Sequence, residues 1–134
     1  MDIGETLPAL EKKITQESIN AYADAAGDFN PIHVNEEFAK GAPFKGTIAH
    51  GFYIFAILSE LMTKHFGKRW TNGGRVDARF KRPVRPGDTV TVKATLAERE
   101  KIEGQDYLVF DVVWENQRQD PVIAGKAYVR ETDH

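Results

Sequence analysis

No cysteine occurs among the 134 residues, which removes disulfide staples, thiolate nucleophiles, zinc ribbons and redox pairs together. That agrees with a reducing compartment, and the cytoplasm is the expected location. An excess of one charge is lacking too. Eighteen Lys and Arg against 20 Asp and Glu leave a formal net charge of -2, so no global field draws the chain toward nucleic acid or an anionic membrane surface. Neither partner is expected. Long apolar runs are also missing. The longest, Phe52 to Leu58, lies between Gly51 and Gly67, a segment of about 22 Å at the helical rise and short of the roughly 30 Å hydrocarbon core of a bilayer. A core helix is the expectation. The first eleven residues place acids ahead of the first lysine, Lys12, with no apolar core stretch, so they do not read as a secretory signal.

Familiar catalytic fingerprints are absent as well: there is no G-x-G-x-x-G, no P-loop, no H-E-x-x-H and no G-x-S-x-G. Asp28-x-Asn30 opens like a calcium loop, but Ile32 stands at the third ligand position and His33 at the turn-glycine position, so the coordination sphere is incomplete. No metal and no cofactor is expected. What is present, 41% apolar and 28% charged residues, is ordinary globular composition, and the length suits one domain over residues 1–134.

Cap chemistry and periodicity predict a first helix over 15–25, with Thr15 as N-cap, Ile19, Tyr22 and Ala26 on one face, and Gly27 as the stop. A constrained turn follows at Asp28-Phe29-Asn30-Pro31-Ile32-His33, because Pro31 keeps Asn30 out of helical geometry. Asn35 caps a short helix over Glu36, Glu37 and Phe38, and a loop from Gly41 to Gly46 leads into Ala49-His50-Gly51. From Gly51 to Phe66 a helix is apolar on every side in its first half, so other structure must wrap it. The wrapping is supplied by alternating segments at 75–81 and 89–97, read as strands joined through the turn Arg85-Pro86-Gly87-Asp88, and by two further apolar runs at 107–114 and 121–130. Helices early and an antiparallel meander late argue for an α+β domain, its sheet curled around one buried helix.

The chemistry-bearing residues are an acid and an imidazole five positions apart, Asp28 and His33, across a proline-stiffened turn. Such a pair can deprotonate water and move a second proton without a metal. Turn chemistry alone accounts for Asp28 and Asn30 as well as catalysis does.

The stretch Tyr22-Ala-Asp-Ala-Ala-Gly-Asp-Phe-Asn-Pro-Ile-His33, with Ala39 six residues on, resembles the hydratase 2 motif of the MaoC-like, (R)-specific enoyl-CoA hydratases. The resemblance continues through Ile48-Ala-His-Gly51 and through Phe-Lys-Arg-Pro-Val-Arg-Pro-Gly-Asp at 80–88. It implies a hot-dog fold, a long helix wrapped by an antiparallel sheet, and protomers that pair as homodimers or higher even-numbered assemblies. It also implies a thioester of coenzyme A or of an acyl carrier protein as substrate. Asp28 and His33 fall on the family's catalytic aspartate and histidine, which add water across a 2-enoyl-CoA double bond and catalyse the reverse dehydration. Asn30 falls on the motif asparagine, a positioning residue, turn support or both. Gly51 falls on the glycine whose amide donates to the thioester carbonyl, at a helix N-terminus suited to the developing enolate. His50, just before it, reads as structural.

Ser59 stands where relatives often carry serine near the acyl pocket, and a backbone bond within a buried helix explains it equally well. Arg79, Lys81, Arg82 and Arg85 put four cations into seven residues, either an anchor for coenzyme A phosphates or a solvated strand face. Ala25 and Ala26 depart from the family's usual aliphatic-then-hydroxyl pair, which leaves the chemistry intact and the acyl subtype open. Phe52, Tyr53 and Phe55 either shorten an acyl tunnel or fill the core. A non-catalytic hot-dog subunit and a hot-dog thioesterase are the alternative functions.

Overall fold

In the computed structural model, which describes residues 1–132, the chain runs β1 (Leu10–Lys13), α1 (Gln16–Ala26), α2 (Pro31–Val34), α3 (Glu36–Lys40), α4 (Gly51–Phe66), α5 (Lys68–Thr71), β2 (Arg75–Phe80), β3 (Thr89–Ile102), β4 (Gln105–Glu115) and β5 (Pro121–Arg130). The local signals act as their chemistry dictates. Thr15 caps α1 in a reciprocal box with Ser18, and Gly27 ends it in the left-handed region at φ 73°. Asn35 caps α3 by accepting the Phe38 N–H at 3.1 Å.

The five strands form one antiparallel sheet in the order β1-β3-β4-β5-β2. β3 and β4 are joined by a hairpin at Glu103 and Gly104, both with positive φ, the mirror-image turn whose twist matches its strands. The register slips between Leu96 and Glu98, and the alternating burial of β3 stops there, as expected where a bulge bends a strand away from the core.

One expectation is corrected here. The turn at 85–88 does lie between β2 and β3, with Asp88 accepting the Arg85 N–H at 2.9 Å, but the two strands are not neighbours. β2 pairs with β5, Phe80 opposite Ile123, so the chain crosses from one edge of the sheet toward the other. Turn chemistry reports how the chain bends, whereas the partner depends on which edge the β3-β4-β5 meander leaves open. β1 pairs with β3 at the opposite edge, and neither it nor α5 was expected.

One face of the sheet packs against α4. Ile54, Ile57, Leu58, Leu61 and Met62 from the helix pack with Val90, Val92, Leu96, Phe110, Trp114 and Ile123 from the strands, and the Trp114 indole N–H donates to the Ile54 carbonyl at 2.9 Å. The wrapping is incomplete in the single chain. Phe52, in the first turn of α4, is 72% exposed, and Phe80 beside it is 54% exposed. No helix among the described residues is long and apolar enough to cross a membrane.

Candidate active site

Gly27 releases the chain from α1 directly into Asp28. The Asp28 carboxylate accepts the Asn30 N–H at 3.2 Å, and the Asn30 side chain accepts the Ile32 N–H at 3.1 Å as the N-cap of α2. Pro31 occupies the first turn of that helix, where its missing N–H costs nothing. His33 therefore sits on a single helical turn, the form that the constrained turn read from the sequence takes here.

Three hydrogen bonds fasten this segment to the one that opens α4. The Ile48 N–H donates to the Ile32 carbonyl at 3.1 Å, His33 Nδ1 lies 2.8 Å from the Ile48 carbonyl, and His50 Nε2 lies 2.9 Å from the Asp28 main-chain carbonyl. A carbonyl only accepts, so each of these imidazole nitrogens carries its hydrogen. In neutral His33 the lone pair is thus on Nε2. The imidazoles of His33 and His50 stack with centroids 4.0 Å apart and planes 29° apart, and Tyr22 packs on His50 at 4.7 Å. One ligating atom each from Asp28, His33 and His50 falls within 4.8 Å of the others. One nitrogen of each ring serves a carbonyl, and each ring keeps a second nitrogen besides. The arrangement suits proton transfer.

Beside His33 opens a pocket of about 390 Å³, walled by Ile54, Phe80, Val84 and Ile123 among others and reaching Gly51. It is mostly apolar, as a site for an acyl group requires. Helix α4 starts at Gly51 with no side-chain cap, so its first N–H groups and the positive end of its dipole face this region unscreened by a capping side chain. A Cβ on Gly51 would sit 3.0 Å from the Phe80 ring, which shows how closely the pocket wall approaches the helix start.

The structure gathers Asp28, Asn30, His33 and Gly51 at one place, with Asp28 and Asn30 exposed and His33 half-buried at the pocket wall. Lys81 and Arg82 line the same pocket, fixed by their backbone N–H groups on the Val122 carbonyl. Arg85 reaches toward the loop at Gly46. Two expectations need correction. Ser59 is exposed and accepts the Trp70 indole N–H at 3.0 Å, so it is outside the pocket lining. Arg79 is exposed on β2 and alternates with half-buried Ala78; strand alternation aims it away from the core face that Ala78 and Phe80 share. Phe55, between Phe80 and Trp114 at 6.1 and 5.9 Å, fills the core rather than the pocket. Sequence reasoning did not find the bond from His50 to Asp28, because the two lie 22 residues apart and no local pattern links them.

Comparison with known proteins agrees with this architecture. Residues 2–116 match the MaoC like domain. The chain is 37% identical over 102 residues to a 3-hydroxybutyryl-CoA dehydratase from Methylorubrum extorquens, covering 73% of this chain and 62% of that protein. It is 37% identical over 92 residues to an (R)-specific enoyl-CoA hydratase from Rhodospirillum rubrum, covering 66% and 61%. The matched regions thus span about three-fifths of the length of these two relatives. A solved R-hydratase from Pseudomonas aeruginosa superimposes with a TM-score of 0.82 at 24% identity, over 100% of this chain and 84% of that one. The fold is the hot-dog fold, and the chain belongs to the MaoC-like domain family.

Proposed function

We propose that this chain adds water to trans-2-enoyl thioesters to give (3R)-hydroxyacyl thioesters, and catalyses the reverse dehydration, using Asp28 and His33. The observation that carries the reading is the His33 hydrogen bond: with Nδ1–H held by the Ile48 carbonyl, Nε2 is free to take a proton, and the Asp28 carboxylate is close by. Water bound by the pair gives its oxygen to C3 of the enoyl group and its proton to the pair. The electron pair of the double bond shifts toward the thioester oxygen, where an N–H at the start of α4, that of Gly51, meets the growing charge. A proton then returns from the pair to C2, and the site is restored. Asn30 holds the turn that carries both groups.

The acyl group occupies the apolar pocket, while Lys81, Arg82 and Arg85 hold the phosphates of coenzyme A or of a carrier-protein arm. Arg79 and Ser59 have no part in this assignment. The names of the relatives, hydratase and dehydratase, support the reaction class. Residues 1–134 act as one domain, of which the last two lie outside the described residues. Two such domains pair, covering Phe52 and Phe80 and the free edge of β2. The protein works in the cytoplasm, in fatty acid metabolism, and needs no cofactor.

Hydration of a panel of trans-2-enoyl-CoA esters of increasing chain length, followed by loss of the conjugated thioester absorbance, tests the function. Turnover of at least one ester is expected. Release of free thiol in place of hydration would mark a thioesterase, and binding without turnover would mark a non-catalytic subunit.

A further inference from the structure

His50 has no part in the chemistry assigned above, yet it is the most unusual side chain in the site. It is only 2% exposed, and its Nδ1 is buried with no hydrogen-bond partner. A ring nitrogen buried without a partner is destabilising, and a phenylalanine would fill much the same volume without that loss. The offsetting gain lies at the other nitrogen, since Nε2–H donates to the main-chain carbonyl of Asp28 at 2.9 Å. His50 also immediately precedes Gly51 as the N-cap residue of α4, and it makes no side-chain cap there. One side chain therefore joins the backbone of the carboxylate-bearing residue to the residue that opens the helix. Its ring lies against the rings of His33 and Tyr22, at 4.0 and 4.7 Å, and Tyr22 in turn stacks on Tyr53 at 5.4 Å.

We infer that His50 is a positioning residue for the reaction, whose Nε2–H holds the Asp28 main chain in register with the Gly51 amide and the stacked His33 ring. This rests on the acid/base reading of Asp28 and His33 given above. The substrate's C3 and thioester oxygen are a fixed distance apart, so base and amide donor must keep a matching separation. The bond from His50 spans the two segments that carry them. A displacement of the order of an ångström can cost about 100-fold in rate.

The test compares wild type with His50→Phe, His50→Gln, His50→Asn and Asp28→Asn, each checked for folding by thermal melting and assayed for hydration of trans-2-butenoyl-CoA. Phenylalanine keeps a stacking ring and loses the N–H, whereas glutamine places an amide N–H at about the reach of imidazole Nε2. His50→Phe should lose about 10-fold to 100-fold in kcat, with KM changed by no more than about twofold, and His50→Gln should recover most of the loss. A folded His50→Phe with wild-type kcat, or His50→Gln and His50→Phe slowed equally, would overturn the inference. Should His50→Phe not fold, glutamine against asparagine decides, because the asparagine amide is too short to reach the Asp28 carbonyl. Faster turnover with glutamine supports the role and equal rates overturn it. Undiminished activity of Asp28→Asn would overturn the acid/base reading itself, whereas a slow Asp28→Asn beside an unimpaired His50→Phe would overturn only the part given to His50.

Discussion

A single hydrogen bond, from His33 Nδ1 to the Ile48 carbonyl, fixes which nitrogen of the His33 imidazole is available. Asp28 needs no such help, since a carboxylate accepts at either oxygen and one of its oxygens remains available while the other holds the Asn30 N–H. Asp28→Asn keeps the shape and the turn bond but removes the carboxylate proposed as base. It should melt close to wild type and lose about 10² to 10⁴ in hydration rate, the range for a positioned acid/base group. His33→Ala should behave alike, and the double variant should be scarcely slower than either single one, because groups that serve the same proton transfers are lost together. Multiplying penalties in steady-state kinetics would show that the two act separately. At Gly51 the constraint is steric. A Cβ would meet the Phe80 ring at 3.0 Å, and that ring is a pocket wall. Gly51→Val should stay folded while the displaced wall keeps the thioester carbonyl from the amide, at about the 10² to 10³ in kcat that loss of one oxyanion donor costs. Wild-type kcat in the folded variant would remove the glycine from the mechanism.

Among the elements, β2 matters more than its six residues and edge position indicate, because it delivers Phe80, Lys81 and Arg82 to the pocket. Its contact with β5 is unusually close at Gly125, where a Cβ would fall 2.1 Å from the Asp77 carbonyl oxygen and 2.5 Å from the Ala78 Cα. Both are backbone atoms and cannot turn aside. Gly125→Ala should destabilise by about 1 to 3 kcal/mol, the usual cost of overpacking, visible as a lower denaturant midpoint at unchanged slope. An unchanged midpoint would mean that β2 gives way freely. Charge reversal at Lys81 or Arg82 should raise KM for the coenzyme A ester more than it lowers kcat, and should leave KM unaltered for a thioester lacking the nucleotide. Equal effects on both esters would return these cations to the solvated surface. The same elements show what a sequence carries and what it does not. The caps of α1 and α3, the span of α4 from Gly51 to Phe66 and the β3-β4-β5 meander were legible because Thr15, Gly27, Asn35 and the alternation of Val90, Val92 and Ala94 act within a few residues of themselves. β1 was not, since four residues with two lysines become a strand only through pairing with β3. The partner of β2, the turning of Ser59 toward Trp70 and the bond from His50 to Asp28 were hidden for the same reason: each joins parts of the chain that only the finished fold brings together.

For the whole molecule, the hot-dog arrangement leaves two kinds of surface unfinished, the free edge of β2 and the apolar residues Phe52 and Phe80 near the pocket. Unpaired edges and clustered exposed aromatics are stabilised by a symmetric partner. Light scattering at micromolar concentration should therefore give about twice the chain mass of 15.1 kDa, and a monomer that remains active would show that the pocket is complete in one chain. The same pocket, with His33 and Gly51 in its lining and the Asp28 carboxylate within reach of the His33 ring, is read as a place where water attacks C3 of an enoyl thioester rather than its carbonyl carbon. Turnover of trans-2-butenoyl-CoA in water enriched in ¹⁸O, with the product analysed for label position, chirality and free thiol, tests that directly. The prediction is (3R)-hydroxybutyryl-CoA labelled at the C3 hydroxyl, with coenzyme A still attached. Label in a free carboxylate alongside released coenzyme A, or no product at all, would contradict it.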